Sequence, residues 1–271
     1  MDKSKIAILT TIINFDLYAK SSTFFPEGIQ QYIIDGSNGM HSIHSIIYMM
    51  KKLKKFEIEW LILADEDVFF EKSELVFEVI EKMKKENYTV CGIRDGGVIS
   101  HRIYNPYLIN TFFTILNLKE IKLIWKSSEV LKNNIIFENE FEDDLKNLKG
   151  NYDVNSLYEP YYCFYLWLRR NGKKFLFLES DQPLADDNIT NAVYFNNDLI
   201  FYHSWYARSY GENKMHTDRI NEVMKLIGNK NIIIKDALPI LFRDKSFFIT
   251  NMMRKWKRKI EMKYDEIIKN V

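Results

Sequence analysis

The stretch Ala64-Asp65-Glu66-Asp67-Val68-Phe69-Phe70 sets two carboxylates two residues apart, at the end of the apolar run Trp60-Leu61-Ile62-Leu63. In an extended chain, alternate side chains share a face, so Asp65 and Asp67 can address one site while Glu66 turns away. Two hard oxygen ligands on one side suit Mg²⁺ or Mn²⁺, which bind through one or two carboxylates together with substrate phosphates. Asp is also common in polar turns after strands for purely local reasons. The pair therefore gains its meaning from where it falls in the layout of the chain.

That layout begins with a buried strand over Lys5 to Ile13, ending in the polar turn Asn14-Phe15-Asp16. A second short strand, Gln31 to Asp35, is closed by Gly36-Ser37-Asn38-Gly39. Ile43, Ile46, Ile47, Met50 and Leu53 then repeat with helical spacing, and Lys51, Lys52, Lys54 and Lys55 gather where the helix dipole favours cations. Glu59 to Leu63 is the third strand, and it delivers the Asp pair. Ser73 is placed to cap the next helix, with Leu75, Val76, Val79, Ile80 and Met83 on its buried side. Tyr88 to Ile93 is a fourth strand, ending at Arg94-Asp95-Gly96-Gly97. Strands alternating with helices predict a mostly parallel, doubly wound sheet, and ligands of such sheets sit at the carboxyl ends of the strands.

Further on, Asn110 to Leu118 and Ile121 to Trp125 read as strands, and the acidic stretch Glu138 to Asp144 as a solvated loop or helix face. Tyr158 to Arg170 has aromatic residues at helical spacing, stopped by Gly172. Lys174 to Leu178 and Leu199 to His203 are late strands, the last carrying His203-Ser204-Trp205. Imidazole suits Mn²⁺ better than Mg²⁺; a core or capped histidine is the plainer alternative. Asp186-Asp187-Asn188 is a second acidic pair, read as a loop on the acceptor side or as simple surface. No internal repeat and no Pro/Gly/Ser-rich linker marks a boundary.

Composition narrows the function classes. A chain of 271 residues, 46% hydrophobic and 15% aromatic, can build a large core. A net charge of +1 argues against a general nucleic-acid binder. Cys91 and Cys163 sit in apolar surroundings and read as reduced core thiols. The start has no secretory h-region, and no apolar run reaches the roughly 18 residues of a membrane span; a cytoplasmic protein is expected.

Strand, Asp35-Gly36-Ser37, helix, strand and Asp65-Glu66-Asp67 in this order resemble the amino-terminal half of GT-A-fold glycosyltransferases, which transfer a sugar from a nucleotide-sugar donor. The later run Tyr158-Glu159-Pro160-Tyr161-Tyr162, followed by Leu168-Arg169-Arg170-Asn171-Gly172-Lys173-Lys174-Phe175, is similar to that family's acidic residue, helix, Arg…Gly-x-Lys and strand. The resemblance spans roughly residues 5–205 and is one of pattern and order. It departs from the family where the first strand ends in Ile13-Asn14-Phe15-Asp16, and where Glu159 stands alone before Pro160.

The resemblance implies a GT-A-like, mostly parallel central sheet flanked by helices, with a helical C-terminal tail. The catalytic domain would cover 1–240, its donor half about 1–100 and its acceptor half about 101–240, with a basic tail over 241–271. Asp65, Asp67 and His203 would hold Mn²⁺ or Mg²⁺ against the donor diphosphate, a UDP-sugar being the expected donor. Glu159 would be the general base if the reaction inverts. Asp16, Asp35, Asp65, Arg94, Asp95, Arg208 and Lys214 are the candidates for binding the donor. Among them, Asp35 would reach the nucleoside, Arg94 and Asp95 the sugar or phosphate, and Arg208 and Lys214 the departing diphosphate. The acceptor would be a glycan or a lipid-linked hydroxyl, with bacterial surface glycan synthesis as the expected setting. The rivals are a nucleotidyltransferase of related fold, for which no Gly-rich loop stands between Asn14 and Pro26, and a non-catalytic nucleotide- or glycan-binding relative.

From Asp244 the chain reads as helical and basic. Phe247, Phe248, Ile249, Met252, Met253, Trp256, Ile260 and Ile267 lie on one side, and Arg254, Lys255, Lys257, Arg258, Lys259 and Lys263 crowd the rest. Such a helix either seeks a membrane surface, in peripheral contact with its inner face, or packs on the domain with its charges outward.

Overall fold

The computed structural model describes residues 1–228, 238–253 and 256. Its architecture follows from strands too apolar to leave either face in water. β1 (Ile6–Ile12) is buried at every position but one. Asn14 caps α1 (Phe15–Ser21), its side chain accepting from Leu17 N at 3.0 Å. There follow β2 (Gln30–Asp35), α2 (Ile43–Leu53), β3 (Trp60–Ala64), β4 (Val68–Phe70), α3 (Leu75–Lys85), β5 (Val90–Arg94) and β6 (Ile109–Asn117). Then come α4 (Leu118–Ile124), α5 (Ser127–Leu131), α6 (Tyr162–Arg170), β7 (Phe175–Phe177) and β8 (Glu179–Asp181). The last elements are β9 (Asn191–Phe195), β10 (Asp198–His203), α7 (Lys214–Ile227) and β11 (Ile240–Phe242).

Seven strands form the central sheet in the order β11-β2-β1-β3-β6-β5-β7. Four of its pairings are parallel, and β6 runs antiparallel to both β3 and β5. The alternation of side chains along a strand divides the core. Ile6, Ile8 and Ile12 of β1 pack with Ile62 and with Val76 and Ile80 of α3. Ala7 and Leu9 pack on the other face with Leu61, with Met49 and Leu53 of α2, and with Tyr165 and Leu166 of α6. Helices thus cover both faces of a mostly parallel sheet, as the sequence implies.

A smaller antiparallel sheet, β4-β10-β9-β8, stands at the carboxyl edge. β4 starts directly after Asp67, and β10 pairs with it so that His203 lies opposite Val68. This pairing brings the late histidine to the acidic turn.

Several sequence expectations are corrected. Ile121 to Trp125 is not a strand: its first four residues belong to α4 and Trp125 ends that helix, because Asn117 caps a helix there by accepting from Glu120 N. Ser73 does not cap α3; Glu74 holds the cap position with no side-chain hydrogen bond. The stretch Glu138–Asp144 is not simply solvated. Glu140 receives Arg170, and Asp143 receives both Arg94 and Arg169, all well shielded from water. Residues 240–242, which straddle the expected start of the tail at 241, add the edge strand β11 to β2. Cys91 and Cys163 are buried free thiols. Beyond residue 253, the predicted tail lies outside the described residues, Trp256 apart. Among the described residues, no helix is long and apolar enough to cross a membrane.

Candidate active site

Asp65, Asp67 and His203 each offer a ligand atom, and these atoms lie within 4.8 Å of one another. Each is fixed through its backbone. Asp65 N donates to Phe112 O of β6, and Ser204 N donates to Asp67 O. The His203 ring stacks on Phe112, with centroids 3.9 Å apart and planes 14° from parallel, and Trp205 closes on it at 4.3 Å. His203 Nε2 lies 3.2 Å from Asp67 Oδ1, while its Nδ1 is buried with no hydrogen-bond partner among the described residues. Glu66 turns the other way, as the alternation requires. Its Oε1 accepts from the backbone N–H groups of Ile13 and Asn14, tying the end of β1 to the acidic turn.

The electrostatics of this corner favour a cation. Burial pushes the Asp65 carboxyl well above its ordinary range, Asp67 and Glu66 push it further, and Arg208 only partly opposes them. Burial and then Asp67 raise Glu66 to about 7, against the hydrogen bonds from the chain at Ile13 and Asn14. Three carboxylates in so little space are costly to ionise together unless positive charge is supplied. An oxygen-rich set with one imidazole suits Mn²⁺, and Mg²⁺ less closely. The residues present therefore fit a divalent ion.

The triad opens into a cavity of about 560 Å³, whose lining includes Arg102, Asn110, Glu159, Tyr161, Trp205, Tyr206 and Arg208. Within this lining, Arg102 is a heavily bonded cation. Asp95 grips it at both oxygens, from Nε at 2.6 Å and Nη2 at 3.2 Å, and its Nη2 donates to Glu159 Oε1 at 2.5 Å. Tyr104 stacks on the guanidinium at 4.3 Å. Asp95 is wholly buried and also accepts from Asn110 Nδ2 and from the hydroxyls of Tyr161 and Tyr162. Burial and the Asp95 charge raise both tyrosines. For Arg102, burial lowers the pKa but Asp95 and its neighbours outweigh it, so the guanidinium is held firmly charged. The turn that brings Arg102 back over Asp95 needs Gly96, where a Cβ would lie 1.9 Å from Tyr104 O.

A second clamp holds the other rim. Trp205 and Tyr206 are consecutive non-glycine residues in the left-handed region, with φ of 60° and 61°. Such backbone persists only where surrounding contacts over-determine it. Here Trp205 Nε1 donates to Asn191 Oδ1, and Arg219 donates to Trp205 O while also holding Thr190 and Asp187. Asp187, one of the acidic pair of the sequence, thus serves as an anchor. The strained turn leads directly into the short helical segment 207–209 that carries Arg208 to the cavity.

The structure brings together Asp65, Asp67, His203, Glu159 and Arg208 of the sequence candidates, with Asp95 one shell behind. It places the others elsewhere. Asp16 lies exposed in the first turn of α1 rather than at the end of the strand, because Asn14 already starts the helix. Asp35 does not line the cavity; it accepts from Ser37 and pairs with Arg243 at 2.5 Å. Arg94 faces Asp143 and lies over Phe177, away from the cavity. Lys214 is exposed and paired with Asp218. Arg102, Asn110 and Tyr161 were missed by the sequence reading; the one local hint was the Asp-Gly-Gly turn that folds Arg102 back.

No family model and no curated protein matches this chain. Solved structures similar to it include glycosyltransferases. One is the mannosyltransferase PcManGT from Pyrobaculum calidifontis in complex with GDP-Man and Mn²⁺, at 6% identity and TM-score 0.34 over 44% of this chain and 46% of that one. Another is mouse xyloside xylosyltransferase 1, at 12% identity and TM-score 0.38 over 65% of this chain and 84% of that one. A third is a glycosyltransferase involved in glycosylation of the major capsid of PBCV-1, at 17% identity and TM-score 0.33 over 56% and 81%. The similar region is thus about half the length of the first of these and most of the other two. The chain's own topology defines its class: a mixed α/β protein with an acidic, histidine-completed cluster at the carboxyl edge of a mostly parallel sheet.

Proposed function

We propose that the protein is a metal-dependent glycosyltransferase that moves a sugar from a nucleoside-diphosphate sugar to an acceptor hydroxyl. The observation that carries this reading is the Asp65–Asp67–His203 cluster at the floor of a cavity that also presents Glu159, Arg102 and Arg208. When bound there, a divalent ion supplies positive charge to the diphosphate of the donor. Arg208 adds a second positive group on the same rim, suited to the charge that grows on a departing diphosphate. Glu159 is the carboxylate left to take the acceptor proton, and Arg102 holds it in place through Nη2. Asp95, saturated by five hydrogen bonds from four residues, supports Arg102 instead of touching the sugar. We take a UDP-sugar as donor and a glycan or lipid-linked hydroxyl as acceptor.

The deciding experiment measures thermal stabilisation by UDP and by GDP, each with and without Mn²⁺, followed by hydrolysis of intact nucleotide sugars. Metal-dependent stabilisation by one diphosphate, with release of its sugar, is the expected result. No stabilisation by either, with no hydrolysis of any donor, would overturn the reading and leave a non-catalytic protein with a structural acidic turn.

A further inference from the structure

Histidines aside, the aromatic side chains in the lining of the cavity are Phe112, Tyr161, Trp205 and Tyr206. Three of them are committed to the protein itself. Phe112 is buried under the His203 ring, and Tyr161 is buried with its hydroxyl on Asp95. Trp205 closes on His203 and donates through Nε1 to Asn191. Tyr206 differs: it is 50% exposed. His216 of α7 covers one face of its ring, with centroids 4.2 Å apart and planes 17° from parallel. The ring is thus supported from behind, and half of the residue remains open at the cavity.

The backbone adds a second observation. Tyr206 has φ 61° and ψ 35°, left-handed values that suit Gly or Asn and make a bulky residue an outlier. Strain of this kind gathers at ligand clamps, where the surroundings enforce it. The Arg219 hold on Trp205 O, one residue earlier, supplies that enforcement.

The order of the strands selects the ligand. β3, which delivers the Asp pair, stands in the sheet between β1 on one side and β6 and β5 on the other. Beyond β5 lie Asp95 and Arg102, and Arg102 both holds Glu159 and lies over the Trp205 ring at 5.4 Å. After Tyr206 the chain crosses to the end of β1, where Asn14 Nδ2 donates to Ala207 O at 3.1 Å and to Tyr210 O at 2.8 Å. A donor whose diphosphate lies between the Asp65–Asp67–His203 cluster and Arg208 would point its sugar toward Glu159, on the β5 side. Its nucleoside would then run toward the β1 side, along residues 206–210. A nucleobase is a flat aromatic ring, and an open tyrosine face is a surface on which it stacks. We infer that Tyr206 is the platform on which the nucleobase of the donor stacks. The direction in which the donor lies rests on the transferase reading; the stacking is measurable without any sugar transfer.

The test is calorimetric titration of the intact protein, in the presence of Mn²⁺, with UDP, with GDP and with inorganic pyrophosphate. The native protein should bind one of the two nucleoside diphosphates more tightly than pyrophosphate. Tyr206→Asn removes the ring but suits the left-handed backbone, so its melting temperature should be native or higher. Its affinity for that nucleoside diphosphate should fall about tenfold or more, while its affinity for pyrophosphate stays native. Tyr206→Phe keeps the ring and should bind as the native protein does. Native affinity for the nucleoside diphosphate in Tyr206→Asn would overturn the inference and leave the transferase reading standing. An equal loss for pyrophosphate would also overturn it, since the turn would then act by placing Arg208. So would a loss in Tyr206→Phe, which would assign the contact to the hydroxyl, or a loss confined to the intact nucleotide sugar, which would put the sugar ring on Tyr206. Failure of the native protein to bind either nucleoside diphosphate would remove both readings together.

Discussion

His203 Nε2 sits 3.2 Å from Asp67 Oδ1, although the two residues leave different strands and are far apart in the chain. The contact exists because β10 pairs antiparallel with β4, the short strand that begins immediately after Asp67. One register choice thus brings the histidine to the candidate metal-ligand cluster. A one-residue slip of β10 would turn His203 to the opposite face of its sheet.

Removal of His203 should therefore weaken the metal more than it weakens the fold. His203→Ala and Asp67→Ala are each expected to reduce Mn²⁺ affinity by at least about tenfold, or ~1.4 kcal/mol, in calorimetric titration. In Asp67→Ala, the loss of one of three crowded carboxylates should leave the metal-free melting temperature unchanged or higher, because their mutual repulsion is relieved. Native Mn²⁺ affinity in both variants would remove the triad from consideration as the ligand set.

Glu159→Gln keeps size and shape while removing the proton acceptor. If Glu159 is the base, kcat should fall by roughly 10²- to 10⁴-fold with little change in donor binding. The split between kcat and donor affinity separates this role from a structural one, which would disturb both. A rate near that of the native protein would place the base at another residue.

The residues that the sequence exposed are those whose roles are local. The apolar runs of β1, β3 and β5 and the stripes of α2 and α3 carry their own periodicity, and Asp65 and Asp67 follow directly on the end of β3. The small sheet stayed hidden because β4 and β8 are only three residues long, too short for a period to register. Asp35 and Arg94 sit at strand ends, where a ligand site is expected, but distant partners claim them: Arg243 in one case, Asp143 in the other. Arg102 escaped notice for the same reason in reverse, since its meaning comes from Asp95 and Glu159, neither within five residues of it.

Asp95→Asn should damage the site without touching the metal. It keeps the volume but removes the charge that holds Arg102, leaving a buried guanidinium with Glu159 as its one remaining counter-ion among the described residues. Breaking a buried pair of this kind costs about 3–5 kcal/mol. The expected outcome is a clearly lower melting temperature together with a kcat loss comparable to that of Glu159→Gln, while Mn²⁺ affinity is retained. A variant with native stability and turnover would show that Arg102 is positioned by Tyr104 and Glu159 alone.

Asp143 gives the prediction for pH. Burial raises its carboxyl, but the hydrogen bonds and charges of Arg169 and Arg94 together outweigh that and hold it below the ordinary value of 3.8. A carboxylate whose folded pKa is depressed contributes stability that is complete above the unfolded pKa and is lost as pH falls through the folded one. Native protein should accordingly hold this contribution at neutral pH and shed it below about pH 4. Asp143→Asn abolishes the titration and leaves two guanidinium groups, Arg94 and Arg169, facing a neutral amide. At pH 7, the variant should be less stable by about 3 kcal/mol, equivalent to roughly 6–12 °C in melting temperature. As pH falls below about 4, the gap between variant and native protein should narrow, because the native carboxylate is being neutralised while the amide is not. Urea unfolding at a series of pH values checks both the size and the sign. A gap that widens toward acid would mean that the two arginines are balanced by another carboxylate, Glu140 being the nearest candidate in the same acidic stretch through Arg170.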